Sequence, residues 1–227
     1  MVIALTNIKG GVGKSTLAIH LSMQLQAMNF KILLLDTDYQ KTTTHWYENR
    51  EEEKIPLVID LMEPISPYQI GCYHHTINQA KANYDFIIID TAGYESGAML
   101  EIILASDLVL IPSMVSQAEL ESSVTTMQLA QDHHKQAYIL WSRIPSSTNQ
   151  SKRMQECLTL MHAKALKTII NHRQIYIDSL EQGKVVQEIT QDETQAKHKR
   201  KGASIASIEI EALTQEILSF KENSSEN

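Results

Sequence analysis

Short apolar runs alternate with amphipathic stretches along most of the chain. Six runs rich in Ile, Leu and Val are almost continuously apolar, which is typical of strands buried on both faces of a parallel sheet. The stretches at 15–28, 66–82, 96–105 and 116–135 have helix-compatible spacing. This alternation predicts an α/β fold with a mostly parallel, twisted sheet and helices on both faces. The six runs are VIALTN (2–7), KILLLD (31–36), LVIDL (57–61), DFIIID (85–90), DLVLIP (107–112) and AYILWS (137–142).

The chain shows no internal repeat and no Gly/Ser-rich linker that would divide it. A chain of 227 residues can bury one sizeable core, so we predict a single domain over 1–221 and a polar C-terminal tail at 222–227. We find no apolar run of membrane-spanning length and no basic leader, and the two cysteines lie outside any metal or redox spacing. These features predict a cytoplasmic protein.

Charge is distributed unevenly along the sequence. The formal net charge is −7, yet residues 143–201 contain eleven basic and six acidic side chains, including the run KHKRK at 197–201. The overall acidity argues against a constitutive nucleic-acid coat protein but allows a local basic face for duplex DNA. An alternative is that the run is a solvated loop that balances Asp192 and Glu193. The candidate DNA contacts are Lys152, Arg153, Arg173, Lys197, Lys199, Arg200 and Lys201.

The segment NIKGGVGKST at 7–16 lies between the first predicted strand and a predicted helix. It matches the phosphate-binding pattern G-x-x-x-x-G-K-[ST], except that Ile8 replaces the first glycine and an additional lysine, Lys9, follows it. Backbone N–H groups and a helix N-terminus would converge on a phosphate here. We predict that Lys14 reaches the β- and γ-phosphates of ATP and that the Ser15 hydroxyl binds Mg²⁺. The predicted nucleotide-binding residues are Gly10, Gly11, Val12, Gly13, Lys14, Ser15 and Thr16.

Carboxylates follow two of the other predicted strands. LLLDTD contains Asp36 and Asp38, and FIIIDTAG contains Asp90, all at the carboxyl edge of the sheet, where ligands bind in such folds. We predict that Asp90 and Asp38 join Ser15 at the Mg²⁺ site, and that Asp38 also orients the attacking water. Asp36 has two equally good interpretations, as a residue of the ligand site or as a cap of the following helix.

Several of these segments together resemble the ParA/MinD superfamily. KGGVGKST at 9–16 resembles its deviant Walker A box, whose mark is an early signature lysine. DTDYQKTTTHW at 36–46 resembles the D-x-D-P-Q-x-S-x-x-W segment, with Tyr39 in place of the usual proline. YDFIIIDTAG at 84–93 and ASDLVLIP at 105–112 are similar to the Walker B segment and the strand after it. The resemblance reaches INHRQIYIDSLEQGKVV at 170–186 and the last helix, as in small ParF-like plasmid partition ATPases.

The resemblance implies a single P-loop NTPase domain and an ATP hydrolase of DNA partition, associated with the nucleoid. In this family the signature lysine touches the ATP of a second subunit, so Lys9 would join Lys14 and Asp38 as a catalytic residue within an ATP-bound homodimer. The implied partners are non-specific duplex DNA and a centromere-binding partition protein. We expect the centromere-binding partner to supply an arginine to the ATP site, because the phosphate-binding segments of this chain offer no obvious one. Ser142 and Pro145 in WSRIPSS stand where the family contacts adenine.

Other members of the superfamily fit less well. A MinD-like protein needs a cationic amphipathic helix for lipid, whereas IEIEALTQEILSF at 208–220 contains three glutamates and no cation, so we predict no membrane docking. A small-molecule synthetase of the dethiobiotin type remains an alternative, since it shares the loop and the fold and has no DNA role. The D-x-D-x-Q segment and the basic region favour partition.

Overall fold

Six parallel strands form one sheet in the order β3-β2-β4-β1-β5-β6. The structure is a computed structural model that describes residues 1–63, 72–93, 97–145 and 150–225. The predicted parallel α/β fold is confirmed. The third strand is shorter than predicted, because it is an edge strand and the preceding Leu57 and Val58 are exposed. The strands are β1 (Val2–Leu5), β2 (Ile32–Asp36), β3 (Asp60–Met62), β4 (Phe86–Asp90), β5 (Leu108–Ser113) and β6 (Ala137–Trp141).

Helices connect the strands and continue after the last one. In chain order they are α1 (Lys14–Ala27), α2 (Thr42–Glu52), α3 (Cys72–Ala80), α4 (Gly97–Ala105), α5 (Gln117–Asp132), α6 (Ser151–Met161), α7 (Gln174–Leu180), α8 (Val186–Gln191) and α9 (Lys197–Ser225). Helices α1, α4 and α5 occur where predicted. The prediction at 66–82 is met by α3 for its second half, and residues 66–71 lie outside the described residues. Helix α9 continues through 222–225, into the predicted polar tail, and the domain boundary at 221 stays a prediction.

The two faces of the sheet are covered by different helices. Helices α1, α7, α8 and α9 pack over one face, where α9 contributes a row of fully buried apolar side chains. Helices α3, α4, α5 and α6 contribute to the cores on the other face. Successive residues of each strand point to opposite faces, so β1 sends Ile3 and Leu5 to the first core and Val2 and Ala4 to the other. Burial of each large side chain contributes about 1.5–3 kcal/mol.

Helix α2 is fixed at its C-terminal end by an ion pair whose arginine is buried. The Arg50 side chain is 2% exposed, and its guanidinium donates to both carboxylate oxygens of Glu188 on α8, at 2.7 and 2.9 Å. It also donates to the carbonyls of Gly183 and Pro56. These bonds satisfy a charge that would otherwise be costly to bury. They fasten the helix that follows β2 to the C-terminal third of the chain.

The carboxyl ends of β2, β4 and β1 lie side by side. In the strand register Asp36 pairs with Asp90, and Asp90 pairs with Leu5, the last residue of β1 before the phosphate-binding segment. The sheet therefore brings the predicted site residues to one edge. Of the helices in the described residues, none combines the length and apolar character needed to cross a membrane.

Candidate nucleotide-binding site

The loop between β1 and α1 is held in place by side chains from distant elements. The Asn7 side-chain amide donates to the Pro112 carbonyl at 2.8 Å and to the Ser123 hydroxyl at 3.1 Å, and its oxygen accepts the Lys9 N–H. Gly11 and Gly13 have φ of 79° and 95°, values that side chains rarely allow. The loop thus has a fixed cradle shape built from contacts within the protein.

Lys14 begins α1 inside this cradle. Its side chain is only 6% exposed, and its ammonium group donates to the Lys9 carbonyl at 3.0 Å. Burial lowers the pKa of Lys14, and the nearby carboxylates of Asp90 and Asp38 act in the opposite direction. A bound phosphate would offer this ammonium a full negative charge in a poorly solvated place. The geometry therefore fits the role predicted for Lys14.

Two aspartates at the end of β2 have different surroundings. Asp36 is fully buried and accepts from the Asp38 N–H at 3.0 Å, and from the N–H and hydroxyl of Thr44 at 2.9 and 2.8 Å. It therefore stabilises the first turn of α2, in line with the capping interpretation. Asp38 lines the cavity described below, and one of its oxygens accepts the Gln40 N–H. Only Asp38 of this pair is placed to meet a ligand.

Asp90 is a fully buried carboxyl group with an unused oxygen. Its Oδ2 accepts from the Thr43 hydroxyl at 2.7 Å, and Oδ1 has no hydrogen-bond partner within the described part of the chain. Burial raises the pKa of Asp90 to about 7, although the hydroxyls of Thr43 and Ser15 act in the opposite direction. A carboxylate so placed suits a cation that prefers oxygen ligands, so these residues fit Mg²⁺.

Among the residues that the structure describes, no protein-only metal cage accompanies Asp90. Across the described ranges, no group of three or more His, Cys, Asp or Glu side chains could hold a metal ion. This is compatible with Mg²⁺, which is usually bound by few protein oxygens together with water and the phosphates of the substrate. Ser15, Asp90 and Asp38 are therefore proposed to bind Mg²⁺ together with a nucleotide.

A cavity of about 710 Å³ opens beside the loop, which is within the usual size range of ligand sites. One wall consists of the loop glycines, Lys14 and the next residues of α1, with 38–40, Thr42 and Gly93. A Cβ atom at Gly93 would lie 2.9 Å from the Gly10 Cα, so only glycine allows this approach. The opposite wall consists of Ser142, Arg143, Ile170, Asn171, His172, Arg173, Tyr176 and Ile177.

The residues after β6 differ from what the sequence suggested. Ser142 lines the cavity, but its hydroxyl donates to the Val12 carbonyl at 2.7 Å and so supports the loop. Pro145 is exposed and is not among the lining residues. The expectation that no arginine lies near the phosphate site is wrong, because the Arg143 guanidinium donates to the Gly11 carbonyl. Arg143 could have been identified from the sequence, because a basic side chain that closely follows a parallel strand lies at the ligand-binding edge of the sheet.

The predicted DNA contacts fall into separate places. Lys152 and Arg153 are exposed on α6, which packs over the opposite sheet face from α9. Arg173 lines the cavity wall and forms an ion pair with Glu209 at 2.7 Å, so its charge is already paired. The remaining basic residues, Lys197, Lys199, Arg200 and Lys201, form the first turns of α9.

The solvated-loop interpretation of the basic run is corrected. Residues 197–201 are helical, with Lys197 and Lys201 exposed. Asp192, which was considered as a counter-charge, instead pairs with Lys184 at 2.6 Å. The run is therefore a cationic helix terminus, and its contact with DNA remains a prediction.

Comparison with known proteins agrees with this geometry. A family model described as an AAA domain matches residues 1–71. The chain is 22% identical over 191 residues to the maintenance of carboxysome distribution protein A of Halothiobacillus neapolitanus, covering 80% of this chain and 84% of that protein. The MinD cell division protein of Aquifex aeolicus superposes with a TM-score of 0.73 at 21% identity, over 96% and 97% of the two chains.

A further solved structure adds a nucleotide to the comparison. The putative plasmid partition protein of Borrelia burgdorferi B31, bound to AMPPNP, superposes with a TM-score of 0.67 at 20% identity. The match covers 92% of this chain and 97% of that one. These likenesses establish a shared fold, and the names of the three proteins refer to carboxysome distribution, cell division and plasmid partition.

Proposed function

We propose that this chain is a P-loop ATPase of the ParA/MinD type that uses ATP hydrolysis to partition DNA, with a plasmid as the cargo. The observation that carries the proposal is the cavity at one edge of the sheet, which is lined by the loop, Lys14 and Asp38. The buried Asp90 lies behind this wall, close enough to Lys14 to act on its pKa. The basic terminus of α9 supports a DNA role. The nucleoid would then be the place where the ATP-bound form resides.

The chemistry assigned to the site is hydrolysis of the γ-phosphate. Loop N–H groups and the Lys14 ammonium would hold the phosphates, where charge spreads in the transition state. Mg²⁺, bound by Ser15 and Asp90, would neutralise phosphate charge. Asp38, on the cavity wall with one oxygen bonded to the Gln40 N–H, would orient the attacking water with its other oxygen.

Lys9 is proposed to act across a dimer interface. Its side chain is exposed, as are the adjacent Gly10 and Gly11, so this side of the loop is open to a second subunit. Its backbone is fixed by Asn7 and by Lys14. An ammonium that reaches the partner's ATP would stabilise the transition state only after assembly, which couples hydrolysis to dimerisation.

Replacing Lys9 with alanine is expected to retain ATP binding but to keep the protein monomeric in saturating ATP. The side chain is exposed, so its removal leaves the loop bonds in place. Sedimentation velocity with ATP measures the dimer fraction. Lys81→Ala is the matched control, since Lys81 is exposed just before β4, at the amino edge of the sheet. Equal dimer fractions for wild type and Lys9→Ala would contradict the proposed contact.

Replacing Lys199, Arg200 and Lys201 together with alanine is expected to weaken duplex DNA binding by about tenfold or more at physiological salt. The slope of log affinity against log salt should become shallower by about 0.9 for each phosphate that these cations no longer neutralise. Fluorescence anisotropy across a salt series measures both quantities, after ATP-dependent dimerisation has been confirmed.

The double variant Lys152→Ala/Arg153→Ala tests the other basic site under the same conditions. Its two residues lie on α6, over the opposite sheet face. Reduced affinity in the α9 variant alone would assign the DNA surface to the start of α9. An unchanged affinity and salt slope in the α9 variant would exclude the run as the contact surface.

The experiment that tests the proposed function as a whole is sedimentation with ADP, with ATP, and with ATP plus duplex DNA of arbitrary sequence. We expect a monomer, a dimer and a DNA complex, respectively. A protein that binds no DNA with either ADP or ATP would favour the function of a small-molecule synthetase instead. The centromere-binding partner rests on the resemblance alone. The lack of an arginine near the phosphates no longer supports it, because the Arg143 guanidinium already contacts the loop.

A further inference from the structure

Glu209 on α9 is the centre of a hydrogen-bond cluster next to the cavity. Its side chain is 11% exposed, and its two oxygens accept from three residues of one segment. The Asn171 N–H and side-chain amide donate at 3.1 and 2.7 Å, and the Arg173 guanidinium donates at 3.0 and 2.7 Å. The Tyr176 hydroxyl lies 3.0 Å from the carboxylate. One carboxylate from α9 therefore organises this whole segment.

The segment held by Glu209 forms the cavity wall that faces the phosphate loop. Asn171, Arg173 and Tyr176 all line the cavity, whereas Glu209 itself does not. Residues 171–173 belong to no helix or strand, and an isolated bridge between Ile144 and Asn171 links them to the chain just after β6. Burial and the Glu209 carboxylate raise the pKa of Tyr176 well above its ordinary value, so it stays a neutral hydroxyl. The position of this wall thus depends on Glu209.

We propose that Glu209 is a positioning residue that fixes the nucleoside end of the ATP cavity; this rests on the proposed function. The loop and Lys14 account for the phosphates at one end. The sugar and base of the same ligand must then contact the other lining residues, which Glu209 holds. Within the described part of the chain, the side-chain hydrogen bonds of Glu209 all go to this wall. Its replacement should therefore weaken binding of the nucleoside portion and leave the phosphate cradle unchanged.

The test compares Glu209→Gln with Glu216→Gln. Glu216 is a matched control on the same helix: it accepts from the N–H groups of Lys167 and Thr168 and from the Thr168 hydroxyl, and neither residue lines the cavity. Glu209→Gln removes the negative charge that strengthens the bonds to Arg173, and we expect Kd for MgATP by calorimetry to rise about tenfold. Kd for magnesium tripolyphosphate should stay unchanged, and KM should rise without a change in kcat.

A second variant guards against a general loss of structure. Arg173→Ala removes one of the wall residues, and combined with Glu209→Gln it should add little to either single effect, because both act through one contact. Hydrogen exchange of the peptide 169–176 should be faster in Glu209→Gln than in Glu216→Gln. Unchanged MgATP affinity in Glu209→Gln and Arg173→Ala would overturn the proposal, as would an equally weakened affinity for tripolyphosphate. Failure of the wild type to bind MgATP would instead refute the proposed function.

Discussion

Replacing Lys14 with alanine is expected to weaken ATP binding by about a hundredfold, since a charge-assisted hydrogen bond contributes roughly 1.5–3 kcal/mol. Lys14 is buried in the cradle, where its ammonium group donates to the Lys9 carbonyl. Burial of this ammonium disfavours its charged form, which lowers its pKa. The free protein therefore gains little stability from Lys14, and the main effect of the substitution should be on the ligand complex.

Thermal unfolding separates these two effects. Without ligand, the melting temperature of Lys14→Ala should equal or exceed that of the wild type, because a desolvated charge has been removed. With MgATP at about a hundred times its Kd, the wild type should gain about 2.7 kcal/mol, or roughly 5–10 °C, whereas Lys14→Ala should gain almost nothing. A ligand-induced shift of wild-type size would show that Lys14 does not hold the phosphates.

Replacing Asp38 with alanine is expected to leave ATP binding near the wild-type level and to reduce kcat by at least about a hundredfold. Asp38 is at the cavity wall, and its hydrogen bonds are local: its N–H donates to Asp36, and one carboxylate oxygen accepts the Gln40 N–H. Removal of a group that orients water should affect the hydrolysis step and spare the ground state. Single-turnover hydrolysis and calorimetry with MgATP measure the two quantities separately.

Asp36→Ala provides the comparison for Asp38→Ala, since the two residues are close in sequence but differ in surroundings. Asp36 accepts bonds from Thr44 and the Asp38 N–H and is fully buried, so its removal should lower the melting temperature in the absence of ligand. Asp38→Ala should melt like the wild type. Wild-type hydrolysis by Asp38→Ala would remove it from the mechanism.

The features predicted correctly from sequence depend on local patterns. Buried strands leave almost uninterrupted apolar runs, and the phosphate loop is a contiguous set of glycines with Lys14 and Ser15. The positions of Asp38 and Asp90 followed because parallel strands end at one edge of the sheet. The positions of these residues could be predicted without knowledge of contacts between distant parts of the chain.

The features missed from sequence depend on contacts between distant residues. Helix α2 has the polar sequence TTTHWYENREE with little amphipathic pattern, and it is stabilised by Asp36, by Trp46 in the core and by Glu188. Glu209 is one of three glutamates within 208–220, and nothing local separates it from Glu211, which is exposed. The basic residues of 143–201 are grouped in sequence, yet α6 and α9 lie over opposite faces of the sheet.

The ion pair between Arg50 and Glu188 has a consequence for protein synthesis. The two residues are 138 positions apart, so a nascent chain on the ribosome carries the complete phosphate loop, Asp38 and Asp90 long before Arg50 has its partner. Until α8 and α9 emerge, the α1 side of the sheet also lacks part of its cover, which leaves apolar surface for chaperones to shield. Ribosome-bound chains that end before α8 should therefore be captured by such factors, and release of the completed chain should coincide with its first ability to retain nucleotide.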